Sequence, residues 1–413
     1  MRTAALAFAL VVPFAAAQHT FEVKRAGEAV ADLTMSSPGA DWSKPGREAA
    51  VADVRVDGGS PFQVMLYAGE TTRTYSVFLG HLEPGPHRLT IARNGTHSAT
   101  GTAVKVDHVA VRAGIDDDIL ARAPVLYARR NTIGKFSDVP MLVYAERFDG
   151  VLQYTVIFTN EDGGTSTRAL MARWGRTTDI EYVYRLDTRS GSAIIQGKGH
   201  KDIPYTGKLE GRHPLLIPVT DNNMVGDEVP SEVRYQIAPV LVDLGTGSRE
   251  KVMDDDPLTY RVMAQELARE GKIRPFGTVD GQNVSDLRNY LHIEAKVAVR
   301  DAGVVAMIRG KGDATWRMSD LGRFDYAVDR DGWIRTTVEL PPGTRPEDIG
   351  EIGFTCVAVL GSDKKLPLTG SCRVDAVSKV FFLDRDYRPG RNLWSLREGA
   401  EIPVGIVRAW ALQ

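Results

Sequence analysis

Between Thr159 and Met224 the chain concentrates side chains that could do chemistry. Asn160-Glu161-Asp162-Gly163-Gly164-Thr165 is followed by Arg173-Trp174-Gly175-Arg176-Thr177-Thr178-Asp179-Ile180-Glu181-Tyr182, then by Gly197-Lys198-Gly199-His200, His213 and Asp221-Asn222-Asn223. Asp179 and Glu181 are two residues apart, a spacing that puts both carboxylates on one face of a strand, roughly 6.5–7 Å from each other. Two carboxylates held so can relay protons to a substrate or share a divalent metal ion. In that arrangement His200 and His213 would assist, Arg173 and Arg176 would hold an anionic group, and Trp174 and Asn222 would touch substrate. A plainer arrangement uses the same residues: a solvated strand face bearing Asp179 and Glu181, with Arg173, Arg176 and Arg185 as surface partners. Asn160–Gly164 also suits a hairpin connection, because Asp and Gly fit tight-turn geometry. His200 and His213 lack the spacing of a helical or strand metal pair.

Familiar catalytic signatures are missing. There is no Gly-x-Ser-x-Gly elbow, no His-Glu-x-x-His, no phosphate-binding loop and no dinucleotide-binding glycine pattern. A glycosidase built on paired carboxylates has no local signature and stays compatible with the sequence. The formal charge of −2, with no basic stripe, argues against nucleic acid as a partner.

The elements that would position these residues read as mostly β. Hydrophobic residues make up 43% of the chain, and 40 Gly and 21 Pro punctuate short apolar runs, which favours strands joined by turns over long helices. In Val151–Thr159, Leu152, Tyr154, Val156 and Phe158 share one face. In Asp179–Asp187, Ile180, Tyr182, Tyr184 and Leu186 are the expected inner face. One helix is expected after Asp256, with Pro257 in its first turn, a stripe of Leu258, Val262, Met263 and Leu267, and Gly271 as its stop. Asp116-Asp117-Asp118 suits the start of a shorter one.

The chain is too long for one ordinary core. Four segments are expected: an export signal over 1–17, an immunoglobulin-like sandwich over 18–113, a central mostly-β domain with a terminal helix over 114–272, and a jelly-roll-like sandwich over 273–413. The signal rests on Arg2, the apolar run Ala4–Phe14 and the small residues Ala15-Ala16-Ala17, a layout too short to span a membrane. No later apolar stretch is long enough to do so. In an exported chain, periplasmic or extracellular, the two cysteines Cys356 and Cys372 are expected to form a disulfide between neighbouring strands. Strands are also expected at Phe324–Val328 and Ile349–Val359.

Three stretches resemble known groups. Leu82-Glu83-Pro84-Gly85-Pro86-His87-Arg88-Leu89-Thr90-Ile91 is similar to a turn-and-strand of immunoglobulin-like extracellular modules. The segments Asn160–Thr165 and Arg173–Tyr184 resemble the core of a family of uncharacterised exported bacterial proteins, and the arrangement is similar to the vacuolar protein sorting-associated protein 62-like group, with only Asp179 and Glu181 matching that group's acidic strand. The succession Trp333–Thr344, Pro346–Ile349, Ile352–Phe354, Arg373–Val377 and Val380–Leu383 resembles galactose-binding-like jelly rolls that serve as carbohydrate-binding modules. That resemblance implies a sugar-binding fold in which Trp316, Tyr326, Trp333 and Trp394 are candidates for stacking on sugar rings. The expectation is therefore an exported protein that binds extracellular or cell-surface polysaccharide. A hydrolase of an extracellular polymer with its site in the central domain, metal-dependent or not, is the alternative, and a structural envelope component is the third reading.

Overall fold

The computed structural model describes residues 16–161, 163–227, 231–358 and 370–412. Most of the expected export signal, and Asp162 of the acidic loop, lie outside the described residues. The protein is mostly β and multidomain, and no helix among the described residues is long and apolar enough to cross a membrane.

The first part is an antiparallel sandwich. One sheet orders the strands Ala17–Val23, Gly85–Arg93, Val51–Val56 and Phe62–Met65, and the other orders Arg73–Leu82, Gly27–Ser36 and Lys105–Ile115. Inward residues such as Leu33, Val54, Phe78 and Leu89 are fully buried between the sheets. The central part carries a six-stranded sheet in the order Lys201–Pro204, Ala193–Gly197, Asp179–Asp187, Val151–Phe158, Pro140–Phe148 and Val240–Leu241. A smaller sheet built on His213–Pro218 and Val125–Tyr127 covers its flank. One continuous apolar core runs from Val23 through the central sheet to Leu287 and also takes in Tyr290, Phe381 and Leu383 of the last part, so the first two parts are packed as a unit and the last part shares their core along one edge.

The last part is a second sandwich of two four-stranded sheets. Gly332–Glu339, Tyr290–Arg300, Ser371–Phe381 and Ala400–Pro403 form one, and Arg317–Met318, Gly303–Gly310, Ile349–Val357 and Val407–Ala411 the other. Most of it packs around a core of its own, from Leu291 to Ile402. Cys356 and Cys372 are bonded, with Cα atoms 5.6 Å apart. Their strands follow one another in sequence but belong to opposite sheets, so the disulfide ties the two layers of the sandwich rather than neighbouring strands.

Several local expectations change. Val151–Phe158 and Asp179–Asp187 pair antiparallel, yet the connection between them is no hairpin turn, because it contains the helix Thr167–Trp174. The register of that pair shifts between Tyr154 and Thr155, leaving Val183 without an opposite residue. Val183 is fully buried, while Tyr182 is only half-buried and hydrogen-bonds Asp202 through its hydroxyl. A bulge of this kind shifts the side-chain alternation, which strict period-two reading cannot anticipate. Phe324–Tyr326 is a short 3₁₀ turn instead of a strand. The main helix spans Leu258–Arg269 with Val262, Met263 and Leu267 buried, preceded by the short helix Lys251–Asp255. Asp117 caps the four-residue helix Asp118–Ala121 by accepting from the Ile119 amide.

Candidate active site

The site forms where the strands Val151–Phe158 and Asp179–Asp187 end together, Phe158 standing opposite Asp179. The chain leaves the first strand through Thr159, Asn160 and Glu161, turns at Gly163-Gly164, and enters the helix Thr167–Trp174. Gly163 fits because a Cβ there would lie 2.7 Å from the Asp221 Cβ, so the loop can pass beside Asp221 only without a side chain. The helix stops at Gly175, in the left-handed region with φ 67°, and a Cβ at that position would meet the Arg335 side chain at 2.8 Å. Two of its last carbonyls are satisfied from the C-terminal sandwich. Thr336 Oγ1 donates to the Ala172 carbonyl at 2.5 Å, and Thr337 Oγ1 to that of Met171 at 2.7 Å. The chain then returns through Arg176, Thr177 and Thr178 into the second strand.

This route gathers Glu161, Asp179 and Glu181. Asp179 and Glu181 are 2% and 7% exposed, so the expected solvated strand face is in fact a buried one. Glu161 is half-buried. Burial pushes the Asp179 carboxyl up to about 7, the Glu181 charge pushes in the same direction, and Arg176 and the Asn223 amide oppose them. Burial, and next the Asp179 charge, raises Glu161 to about 7 as well. Glu181 is also raised, by burial first and by Glu161, against Arg249 and Arg176. Like charges buried together cannot all ionise freely, so each carboxylate raises its neighbours' hold on a proton.

Guanidinium groups flank the carboxylates. Arg176, buried and not on the surface as a plain strand partner would be, bonds Glu250 at 3.0 Å through Nε and also reaches the Thr178 carbonyl. Arg249 lies 4.0 Å from Glu181. Burial alone would raise Glu250, but Arg176, Arg249, Arg330 and Arg335 bring it down to about 2, so it stays ionised. The neutralising work of Arg176 and Arg249 is thereby divided, and burial keeps all three carboxyls raised.

Amides complete the wall. Asn223 Nδ2 donates to Asp179 Oδ2 at 3.0 Å and lies 3.4 Å from both Asp138 Oδ1 and the Asn160 carbonyl. Three acceptors around one nitrogen fix the amide's orientation, and its Oδ1, fully buried, has no hydrogen-bond partner. Gln196 hydrogen-bonds Glu181 and pairs its Nε2 with His200 Nδ1 at 3.1 Å, again leaving its own Oε1 without a partner. Asn222 Nδ2 lies 3.4 Å from His200 Nε2. Asp138, His200 and Asn223 adopt left-handed backbone conformations with φ of 53°, 57° and 54°. Non-glycine residues in that region cluster where surrounding structure dictates their geometry, as at binding and catalytic sites.

Of the residues singled out in the sequence, Asp179, Glu181, Arg176, His200 and Asn222 come together. His213 does not. It is buried on the other flank, stacked on Phe78 with ring centroids 4.5 Å apart, with Nδ1 2.9 Å from the Ala123 carbonyl and Nε2 3.4 Å from Glu28. Arg173 turns outward to Asp329 at 2.5 Å and packs on Trp174, whose ring also carries Arg330. Trp333 stands on the C-terminal sandwich opposite Lys296. Among the described residues no group of three or more His, Cys, Asp or Glu side chains is arranged to hold a metal ion. Glu161, Gln196, Asn223, Arg249 and Glu250 join the site without having been marked as its residues. Glu161 and Asn223 stand beside residues that were, but nothing in the local sequence points to Gln196, Arg249 or Glu250.

No family model matches the chain, and no curated protein matches it. Among solved structures it is similar to a CBM35 from Cellvibrio japonicus Abf62, at 16% identity over 25% of this chain and 72% of that one, with a TM-score of 0.19. It is also similar to a ruminal GH26 endo-beta-1,4-mannanase, at 12% identity over 33% of this chain and 27% of that one, with a TM-score of 0.19. Likenesses of that size carry no argument about function.

Proposed function

We propose that the protein acts on extracellular polysaccharide and that Glu161, Asp179 and Glu181 form an acid–base site for hydrolysing a glycosidic bond. The observation that carries this reading is the buried carboxyl trio with Glu161 and Asp179 both near pKa 7. A carboxyl half-protonated at neutral pH can give a proton to a leaving oxygen, while an ionised neighbour takes one from water. Glu161, half-buried, would donate to the glycosidic oxygen as the bond to the anomeric carbon breaks. Water would add to that carbon and yield its proton to the Asp179–Glu181 pair. The unpartnered amide oxygens of Asn223 and Gln196 suit a substrate rich in hydroxyl donors, since a buried acceptor without a partner is costly until something donates to it.

The test is release of reducing ends from a panel of soluble glucans, mannans, xylans and pectins by the full chain. Glu161→Gln should lower that activity by at least about 100-fold with an unchanged circular dichroism spectrum. If no polysaccharide yields reducing ends, the hydrolase reading fails. Binding without cleavage is the second reading. It is favoured by the half-buried Trp394 and Trp410 of the C-terminal sandwich, whose rings lie 6.1 Å apart and offer a surface for sugar stacking. Retention of the uncleaved polymer in a pull-down would support it.

A further inference from the structure

The two sheets of the N-terminal sandwich end, on one side, at the edge strands Phe62–Met65 and Arg73–Leu82. Edges of this kind expose unpaired backbone groups and need covering. The segment around Gln236 does so. Phe78 N donates to the Gln236 carbonyl at 2.9 Å, Ala238 N to the Ser76 carbonyl at 3.0 Å, and Arg234 N to the Gln63 side chain at 2.8 Å. Between this cover, the sandwich edge and the central strand Pro140–Phe148 a cavity of about 340 Å³ remains. It is remote in composition from the carboxylate site: its wall is mainly Val, Met, Leu, Ile and Tyr side chains.

The polar end of the cavity is Arg73. Its Nη1 donates to Asp256 Oδ1 at 2.9 Å and its Nη2 to Asp256 Oδ2, while Tyr67 and Tyr75 present their rings to the guanidinium at 5.5 and 5.9 Å. The Arg73 Nε–H is buried and has no hydrogen-bond partner. That hydrogen is closed off from solvent, so the surface the cavity offers a ligand is essentially apolar. The formal charges of the wall are Arg73 against Asp255 and Asp256, a balance that repels an anionic head. Near the mouth stands Val240, 57% exposed on the short strand beside Tyr144.

We propose that this seam between the sandwich and the central sheet is a second ligand site, one that takes a neutral, largely apolar small molecule and rejects an anionic one. A volume of this size lies at the lower end of the range that small-molecule pockets occupy, which limits the occupant to a compact ring system or a short alkyl chain. The site is independent of the carboxylate cluster and does not rest on the hydrolase reading.

The experiment uses the full chain and the neutral fluorophore N-phenyl-1-naphthylamine, followed by displacement with 2-undecanone, undecane and undecanoate. Saturable one-to-one binding is expected, with undecane and 2-undecanone each displacing the fluorophore at a concentration at least tenfold below undecanoate. Ala238→Phe, which fills the cavity, should weaken fluorophore binding at least tenfold. Val240→Trp, at the exposed mouth where folding is not at stake, should weaken it as well and serves if the first variant does not fold. The proposal is overturned if the wild type does not bind the fluorophore, if well-folded variants bind it unchanged, or if undecanoate displaces it as well as the ketone does.

Discussion

At the scale of single residues, the carboxyl trio makes a specific statement about pH. Asp179, buried and raised to about 7, holds a proton in the folded state that an unfolded Asp, at its ordinary 3.8, has already lost. Between those values the native state binds more protons than the unfolded one, so this group's contribution to stability is fully present below about pH 4 and is lost as pH rises toward 7. Glu161 acts in the same direction. Glu250 acts in the opposite one, because its folded value of about 2 lies below its unfolded 4.5, and its contribution is lost only on acidification below about 4.5. The raised pair titrates within the window from pH 5 to 8, and the contributions of His292, lowered to about 3 by burial, and of His87 in the same window cancel when wild type and an Asp179 variant are compared. Urea midpoints of the wild type should fall across that window relative to Asp179→Asn, which carries no titrating group there. The difference between the two proteins should change by on the order of 2–4 kcal/mol from pH 5 to pH 8. A difference that stays constant would mean that Asp179 is ionised throughout and is no proton-sharing group.

At the scale of elements, the C-terminal strand Gly332–Glu339 is joined to the central part by Arg335 as well as by the threonine bonds to the helix Thr167–Trp174. Arg335 is fully buried and donates to Asp254 from both terminal nitrogens, at 2.8 and 3.0 Å. It also bonds Glu294 at 3.1 Å through Nε, the Tyr260 hydroxyl at 2.5 Å and the Glu250 carbonyl at 3.2 Å. Removing one partner of such a group leaves buried charge uncompensated, which costs about 3–5 kcal/mol. Arg335→Met is accordingly expected to lower the free energy of unfolding by that amount, read from denaturant midpoints. A loss below about 1 kcal/mol would show that Asp254 and Glu294 find other partners. The network also marks how far the sequence could be read. Strands with clear sequence alternation, such as Val51–Val56 and Tyr290–Arg300, and the helix near Leu258 follow from local pattern, although Pro257 stands at that helix's N-cap and the expected cap, Asp256, is bound to Arg73 instead. The helix Thr167–Trp174 is not legible that way. Its apolar residues do not form a clean stripe, and its end is completed by Thr336 and Thr337 from the other sandwich. The burial of Asp179 and Glu181 is likewise decided by residues brought in from afar, Arg249 and Glu250 above all. Period two placed both carboxylates correctly on one face, but which face meets water depends on what packs over it.

At the scale of the whole molecule, the division of the apolar core determines which parts can stand alone. The first core is shared by the N-terminal sandwich and the central sheet, and the sandwich relies on the segment around Gln236 to close its edges. The Arg73–Asp256 ion pair adds a second tie across the same seam. A chain of residues 18–113 would lack all of these, leaving the edges Phe62–Met65 and Arg73–Leu82 open and exposing part of the shared core to water. Such edges template association with other chains. Most of the second sandwich packs around its own core, although Tyr290, Phe381 and Leu383 belong to the first, and Cys356–Cys372 links its layers across a sequence separation of 16 residues. Closing a loop of that length contributes about 3 kcal/mol in the chain-entropy model. Residues 286–413, produced under oxidising conditions, are therefore expected to give a soluble species with a cooperative melting transition, whose midpoint drops on addition of reductant. Residues 18–113 are expected to aggregate or to show no cooperative transition. Scanning calorimetry and size-exclusion chromatography on the two pieces decide the matter: a monomeric 18–113 piece that melts cooperatively would mean that the seam with the central sheet adds little to its stability, and a 286–413 piece that does not fold would mean that the contacts of Arg335 and of the helix Thr167–Trp174 are required to build the second sandwich as well as to hold it in place.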